Sequence, residues 1–322
     1  MKAAVRSKYG SAQVLSIQEV PKPTPGENEI LIKVHATTVN RSDYHVLTGV
    51  PFFMRFFTGL FKPKLSITGS DFAGEVEEIG EKVKSFKAGD RVIGFVDMGL
   101  QSHAQYMTLA ETKAIRAPSN TNYDEAVACI EGAFYALSAV NKMKPVAGQN
   151  ALVIGGTGAI GSAFIQFLKH FGVSTTAVCA SEHSELVRTL GAQRIIDYKT
   201  EDFTKDKDKY DLVFDAVGNN SFAKCRSLLK EKGLYSATGG LGNTFWIIST
   251  PVLGGKKAVF AIPKNVNASL AFIRDLIENG KFRPVIDRTY PLEKIAEAYS
   301  YVASGQKIGN VIISMDVASA EG

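Results

Sequence analysis

The 322-residue chain is long enough for two domains, each with its own core. Its hydrophobic fraction of 45% and charged fraction of 21% are ordinary for a globular protein. The net charge of +5 is spread along the chain, which argues against a nucleic-acid-binding tract. No apolar run reaches the length of a bilayer span, and the first residues lack the apolar stretch of a signal peptide. We therefore expect neither a nucleic-acid partner nor a membrane span.

The cysteine pattern indicates the redox compartment. Cys129, Cys179 and Cys225 are odd in number and far apart, unlike a disulfide framework or a metal knuckle. We expect reduced thiols and a cytoplasmic location.

The first third of the chain is typical of a compact, mostly β domain. Short apolar or alternating runs are separated by Gly, Pro and Asp, and four such runs are EILIKVHAT, AGEVEEIG, DRVIGF and AQYMTLA. We predict a β barrel or sandwich over residues 1–122.

The pattern changes near Asn122. Residues 123–143 have helical spacing, and an alternating strand–helix series begins at Ala151. Its predicted strands are at 151–156, 174–180, 194–197, 210–217, 234–238 and 258–262. Its predicted helices are at 159–171, after the strand 174–180 through Leu190, and at 221–230. Strands joined by helices predict an α/β, doubly wound parallel sheet over residues 123–263. The remaining 264–322, with helices at 268–279 and 292–303 and a strand ending at Ser314, is too short to fold alone, so we expect it to complete the first domain.

A glycine-rich segment directly follows the first strand of this series and opens a helix. It comprises Gly155, Gly156, Thr157, Gly158, Ala159, Ile160 and Gly161. In a G-x-G-x-x-G turn, one glycine makes the tight turn, one lets backbone amides approach a pyrophosphate, and one allows close helix–sheet packing. A plain glycine turn is the alternative, but the strand–helix context favours a dinucleotide site.

The end of the second strand of the series indicates which dinucleotide binds. NAD-specific folds place an acidic residue there, whereas this strand ends in Ala180 and Ser181. Ser181 and a protonated His183 suit a 2′-phosphate, while Glu182 opposes one if its carboxylate points inward. We predict NADPH in preference to NADH.

Several motifs in the correct order resemble the medium-chain dehydrogenase/reductase superfamily, in its zinc-free quinone oxidoreductase-like branch. The resemblance covers residues 1–314 and rests on five segments: VNRSD at 39–43, GSDFAG at 69–74, KAGDRV at 87–92, the glycine loop, and GQKIG at 305–309. It implies a Rossmann dinucleotide-binding domain and a mostly β, GroES-like catalytic domain.

Zinc enzymes of this superfamily have a Cys ligand where this chain has Asn40, a His ligand where it has Ser70, and a Glu where it has Asp71. Amide and hydroxyl groups are poor zinc ligands. We therefore expect no zinc, and a structural role for Asp71 beside a basic group.

Without a metal, hydrogen-bond donors must polarise the acceptor. The resemblance implies that Asn40 and Asp43 are the active-site Asn and Asp and that their segment lies beside the nicotinamide. Tyr44 is a candidate proton donor, with an ordinary half-buried aromatic as the alternative. His45 replaces a frequent Tyr of quinone reductases, and we expect it to pack or face solvent.

The resemblance implies further cofactor contacts at the carboxyl ends of the later strands. They are Tyr198 near the ribose phosphate, Val217 and Gly218 along the adenine–ribose cleft, and Gly239, Phe260 and Ala261 toward the nicotinamide.

Five phenylalanines, at positions 52, 53, 56, 57 and 61, follow the active-site segment. They are either core residues or a lid over a hydrophobic acceptor, and the sequence leaves both open.

We expect an NADPH-dependent enzyme that passes hydride to a small hydrophobic quinone or α,β-unsaturated carbonyl. A non-catalytic NADPH-binding redox sensor and an NADH-dependent alcohol or aldehyde reductase are the alternatives. We also expect a homodimer, because the predicted strand 258–262 lies at an open sheet edge.

Overall fold

The computed structural model describes residues 1–97, 99–239 and 241–315, with Leu241 described by its backbone alone. The chain forms two compact units. Unit 1 comprises Met1–Glu131, Val266–Asn279 and the described residues from Arg283 onwards, and unit 2 comprises Gly132–Asn265 and Gly280–Phe282. The division falls after Glu131, beyond the predicted boundary at 122, because the segment that follows Asn122 packs on unit 1. Its Tyr123 ring stacks on His35, with ring centroids 4.2 Å apart.

The described strands are β1 (Lys2–Val5), β2 (Ser16–Glu19), β3 (Glu29–Val39), β4 (Asp71–Ile79), β5 (Arg91–Phe95), β6 (Tyr106–Ala110), β7 (Ala114–Arg116), β8 (Asn150–Ile154), β9 (Ser174–Cys179), β10 (Arg194–Asp197), β11 (Tyr210–Asp215), β12 (Leu229–Ala237), β13 (Lys257–Ala258), β14 (Ile286–Pro291) and β15 (Asn310–Ser314). The described α-helices are α1 (Arg41–Thr48), α2 (Arg55–Thr58), α3 (Tyr123–Ala128), α4 (Glu131–Met143), α5 (Ala159–His170), α6 (Ser184–Leu190), α7 (Phe222–Cys225), α8 (Thr244–Leu253), α9 (Val266–Glu278) and α10 (Ile295–Ser304).

Unit 1 is built on a seven-stranded sheet of order β14-β15-β3-β4-β5-β7, with β6 also paired to β3. The long strand β3 pairs antiparallel with β4, β6 and β15. Its apolar side chains Ile30, Ile32 and Val34 are buried in one cluster with Phe72 and Val76 of β4. The C-terminal strand β15 thus adds directly to β3 of the N-terminal segment.

Unit 2 is built on a six-stranded sheet of order β10-β9-β8-β11-β12-β13. Each strand pair in it is parallel. The central strand β8 is apolar and buried from Ala151 to Ile154, as expected for a strand inside a parallel sheet. The predicted doubly wound Rossmann sheet is confirmed, with β8 at its centre leading into the glycine loop.

Two element predictions in unit 2 are wrong. The predicted helix 221–230 is only the short α7 and a 3₁₀ turn, because β12 begins at Leu229, which is buried and pairs with Tyr210. The predicted strand 258–262 ends at Ala258, just after β13 begins. The apolar helix α8, with Pro251 inside it, was not predicted. None of the helices in the described part of the chain is both long enough and apolar enough to cross a membrane.

Candidate active site

The glycine loop joins β8 to α5 and is anchored on the neighbouring strand. The amides of Gly155 and Gly156 both donate to the carbonyl oxygen of Val178, at 3.0 and 3.2 Å. Gly155 has a φ of 77°, a left-handed conformation that side chains rarely adopt. The loop therefore turns sharply out of β8 and delivers the chain into α5.

The other glycines of the loop create both close packing and open space. A Cβ on Gly161 would lie 2.1 Å from the carbonyl oxygen of Gly155, so α5 packs too closely there for any side chain. A Cβ on Gly158 would meet only that oxygen, at 3.7 Å, which leaves this side of the loop open.

The open side of the loop is where α5 begins. Because Ala159 and Ile160 are its first residues, their N–H groups have no acceptor within the helix. Thr157 lies between the two glycines of the turn. Free amides, the positive end of a twelve-residue helix and an uncovered backbone fit a diphosphate.

The residues that follow β9 show how Glu182 is held. Ser181–His183 form a 3₁₀ turn, and the Glu182 carboxylate accepts from Lys199 Nζ at 2.8 Å. The same carboxylate lies 3.7 Å from His183 Nε2. The hydrogen bond and the positive charge of Lys199 lower the pKa of Glu182. Lys199, just after β10, was not singled out from the sequence, because its proximity to Glu182 depends on the pairing of β9 with β10.

The remaining predicted cofactor residues of unit 2 lie at or beyond the ends of its parallel strands. Tyr198, after β10, is 59% exposed, and Val217 is 42% exposed. The amides of Val217 and Gly218 donate to the buried Asp215 carboxylate at 3.0 and 3.1 Å, which fixes the turn after β11.

Three further predicted residues follow β12 and β13. Gly239 comes shortly after β12, with open space where a side chain would stand. Phe260 and Ala261 lie past the end of β13 rather than on a strand, which corrects the sequence-based placement. Phe260 is substantially exposed.

In unit 1, the predicted catalytic segment forms the start of α1. Asn40 precedes the helix, and its amide donates to Asp43 Oδ2 at 2.9 Å. This hydrogen bond satisfies a backbone donor at the helix terminus and fixes both residues. Asn40 and Asp43 are both buried.

The buried carboxylate of Glu131, which was not predicted from the sequence, accepts hydrogen bonds from this segment and from Ser70. Glu131, the first residue of α4, accepts hydrogen bonds from Asn40 Nδ2 (3.1 Å), Ser42 Oγ (2.5 Å) and Ser70 Oγ (3.0 Å). We call Asn40, Ser42, Ser70 and Glu131 the Glu131 cluster. The donors come from separate parts of the chain, so nothing in the local sequence pattern indicated Glu131.

Burial shifts the carboxyls of this region toward their protonated forms. Burial, reinforced by the nearby Asp71, raises the pKa of Glu131 to about 7. Burial also raises the pKa of Asp43 well above its usual value, with Glu131 and Asp71 adding repulsion. A carboxyl with a pKa near neutrality can hold a proton and release it at physiological pH.

Asp71 has a structural role, as expected. The expectation that it pairs with a basic group is wrong, because its described partners are backbone and hydroxyl donors. Its carboxylate accepts from the Thr38 amide at 2.9 Å and the Thr38 hydroxyl at 2.7 Å. Burial raises its pKa to about 6 against these hydrogen bonds. Asp71 thus holds the end of β3 in place, just before Asn40.

A cavity of about 260 Å³ lies within unit 1 and shares Asp43 with this region. Its polar lining includes Arg6, Asp43, Thr58, Lys64 and Thr68, and its apolar lining is Val46, Phe57, Leu65 and Ile67. A mostly apolar cavity with a few polar groups is typical of a site for a small organic molecule.

Tyr44 and His45 do not line this cavity. Tyr44 is half-buried and packs against the aliphatic cluster that includes Leu47 and Ile295. Among the described residues, His45 Nδ1 is buried without a hydrogen-bond partner. The structure thus places Asp43, and not Tyr44, on the cavity wall, while a catalytic role for Tyr44 stays a prediction.

The phenylalanine segment is not part of the core. Its five rings are exposed, from 44% for Phe53 to 91% for Phe61. Of these, Phe57 lines the cavity. The core alternative is therefore wrong, and the lid alternative stays open.

The residues at the position where zinc enzymes of the superfamily hold the metal do not fit zinc. The Asn40 amide and Ser70 hydroxyl both donate to Glu131, whereas zinc needs Cys, His or carboxylate ligands in tetrahedral geometry. Within residues 1–97, 99–239 and 241–315, no group of three or more His, Cys, Asp or Glu side chains is placed to hold a metal ion.

Comparison with known proteins agrees with this architecture. Residues 26–142 match the alcohol dehydrogenase GroES-like domain, and residues 190–313 match a domain described as a zinc-binding dehydrogenase. The chain is 33% identical to the chloroplastic NADPH-dependent alkenal/one oxidoreductase of Arabidopsis thaliana, over 97% of this chain and 79% of the relative. It is 31% identical to a chloroplast envelope quinone oxidoreductase homolog of the same plant, over 94% and 95% of the two chains.

Among solved structures, the quinone oxidoreductase from Coxiella burnetii superposes with a TM-score of 0.88 at 26% identity, covering 98% of this chain and 99% of that one. A GroES-like unit and a Rossmann unit with these relatives define an oxidoreductase. The chain belongs to the medium-chain dehydrogenase/reductase superfamily, in its quinone oxidoreductase-like branch.

Proposed function

We propose that this chain is an NADPH-dependent, zinc-independent reductase of quinones and α,β-unsaturated carbonyls. The observation that carries the proposal is that the same chain contains an open diphosphate loop in unit 2 and, at the position of the metal ligands of zinc enzymes, a hydrogen-bonded Glu131 cluster in unit 1. The names of the relatives, an alkenal/one oxidoreductase and quinone oxidoreductases, support the acceptor class.

The preference for NADPH is supported by the pairing of Glu182 with Lys199. Glu182 is neutralised by a cation at 2.8 Å, which removes the main objection to a 2′-phosphate near Ser181. Lys199 then adds a positive charge beside this turn.

NADPH, when bound, supplies the hydride, and the chain must hold the acceptor and provide a proton. We assign the acceptor to the cavity of unit 1, where the Asp43 carboxyl forms part of the wall. Because burial raises the pKa values of Asp43 and Glu131, these carboxyls hold the proton that completes the reduction. Phe57 closes the apolar side as part of a lid.

The experiment is an assay of NADPH and NADH oxidation across a panel of quinones, enones and aldehydes, with zinc measured by elemental analysis. We expect NADPH oxidation with quinones or enones and no stoichiometric zinc. Tight NADPH binding without turnover would instead favour a redox sensor. Preference for NADH with aldehydes would favour the alcohol or aldehyde reductase.

A homodimer forms a separate part of the proposal. β13 is an edge strand of the unit 2 sheet, and α8 exposes Phe245, Ile248, Val252 and Leu253. An exposed apolar helix beside an open edge is typical of a surface that a second copy covers.

A cytoplasmic location remains a proposal based on the cysteines. All three are free and buried, and burial raises their pKa values, so they are unreactive.

A further inference from the structure

The cavity of unit 1 contains a buried cation that the proposed reduction has not yet used. Arg6 follows β1, and its amide donates to the Ser66 carbonyl oxygen at 2.8 Å, which fixes its backbone beside the cavity. Its side chain lines the cavity, and the residue is only 3% exposed.

In the described part of the chain, few groups contact the Arg6 guanidinium, whose Cζ lies 5.4 Å from the centroid of the Tyr9 ring. Nη1 donates to the Val46 carbonyl oxygen at 2.5 Å, whereas Nε is buried without an acceptor. Within that same part, no Asp or Glu forms a salt bridge with it; the groups that partly offset its burial are Tyr299 and Tyr9. A buried cation without a counterion is unfavourable, because desolvation is not repaid by an opposite charge.

The other groups on the cavity wall indicate which kind of ligand would offset the free-energy cost of burying the Arg6 cation. Among the described residues that line the cavity, Lys64 is a second cation and Asp43 is the one carboxyl. Val46, Phe57 and Leu65 supply an apolar surface. Two cations beside an apolar wall are complementary to a small molecule with an apolar body and a carboxylate.

We propose that Arg6 binds the carboxylate of a small anionic acceptor, so that enones and quinones bearing a carboxylate are the preferred substrates. This inference rests on the proposed reductase function and specifies its substrate class. Arginine suits this role, because its planar fork can donate two parallel hydrogen bonds to a carboxylate.

The test compares two enones of nearly equal size, acetylacrylate and ethylideneacetone, which differ by a carboxylate in place of a methyl group. The measured quantity is the ratio of their kcat/KM values with NADPH, compared between wild type and variants so that intrinsic reactivity cancels. We expect Arg6→Met to lower this ratio by about thirtyfold and Arg6→Lys to lower it less. Arg188→Met, an exposed arginine of unit 2, is the matched control and should leave it unchanged.

A second measurement separates ligand binding from a structural role. Levulinate, the saturated product of acetylacrylate reduction, should raise the Tm of wild type but not that of Arg6→Met. Methyl propyl ketone, which lacks the carboxylate, should raise the Tm of wild type by less than levulinate does. Without ligand, Arg6→Met should not lower the Tm, because it removes an unpaired buried charge. If Arg6→Met fails to fold, the Tm shift of wild type with levulinate, compared with its shift with the ketone, still tests whether the cavity prefers a carboxylate.

An unchanged ratio in Arg6→Met, or equal stabilisation of wild type by levulinate and the ketone, would overturn the inference. Absence of turnover with every quinone and enone would instead overturn the proposed function, while the levulinate measurement would still report on Arg6.

Discussion

At the residue scale, the dinucleotide loop depends on two glycines, which have no Cβ. Gly161 has no room for a Cβ, and Gly158 has room that a phosphate needs. The sequence predicted this loop because each glycine has a local cause, the turn or the contact with the preceding strand.

Gly158→Asp is therefore expected to abolish NADPH binding. An aspartate at Gly158 fills the open side of the loop and places a negative charge where the diphosphate binds. NADPH fluorescence titration measures the loss. Gly148→Asp is the control for the added charge: it strains an exposed turn with a φ of 85° before β8, away from the loop, and should keep affinity. Full affinity in Gly158→Asp would show that the loop does not bind the cofactor.

The Glu182–Lys199 pair gives a second prediction at this scale. Lys199→Ala leaves Glu182 without its cation, so repulsion of a 2′-phosphate returns. We expect the ratio of Kd values for NADPH and NADH to shift toward NADH by about tenfold. Lys205→Ala, a cation paired with Asp202, serves as the control. If Lys199→Ala keeps the NADPH preference of the wild type, this pair does not set cofactor choice.

At the element scale, periodicity predicted most strands and the longer helices. It failed where tertiary pairing overrides local preference, as at Leu229, which joins β12 beside Tyr210 instead of extending a helix. It also missed α8, which is apolar on both sides: Trp246 and Ile247 pack on the core, while four other apolar residues of the helix are exposed. The Glu131 cluster was not predicted for the same reason, because Glu131 and its donors from residues 40–42 and 70 come into contact only in the folded chain.

The phenylalanine segment offers a test at this scale. Phe57 is the ring of the five that lines the cavity, so Phe57→Ala should raise KM for an enone or quinone acceptor by about tenfold. Its effect on KM for NADPH should be small. Phe61→Ala, 91% exposed and outside the cavity lining, is the matched control. Equal effects of the two substitutions would argue against Phe57 as part of a lid.

At the scale of the whole molecule, the apolar surface of α8 predicts association. Ile248→Asp places a charge on a helix face that we assign to a second copy. Sedimentation velocity should give a dimer for wild type and a monomer for Ile248→Asp. A monomeric wild type at all concentrations would contradict this assignment, as would a variant that still forms the dimer.

The buried carboxyls also give the whole fold a dependence on pH. The pKa of Glu131 is raised from 4.5 to about 7, so between these values the folded chain holds a proton that the unfolded chain has released. The free energy of unfolding therefore falls as pH rises through this window, by about 3 kcal/mol for Glu131. His103 acts in the opposite direction, because burial lowers its pKa to about 4, and stability is lost as pH falls below its usual pKa of 6.5.

Because these groups oppose one another, the contribution of Glu131 has to be isolated as a difference. Glu131→Gln keeps the shape and a hydrogen-bonding group but cannot ionise, so it should lose less stability than wild type as pH rises from 5 to 8, by about 3 kcal/mol. Urea denaturation across that range measures the difference. Glu81→Gln, at an exposed position between β4 and β5, should parallel wild type. Parallel curves for wild type and Glu131→Gln would show that Glu131 is already ionised in the fold, and so cannot be the group that holds a proton beside Asn40 at neutral pH.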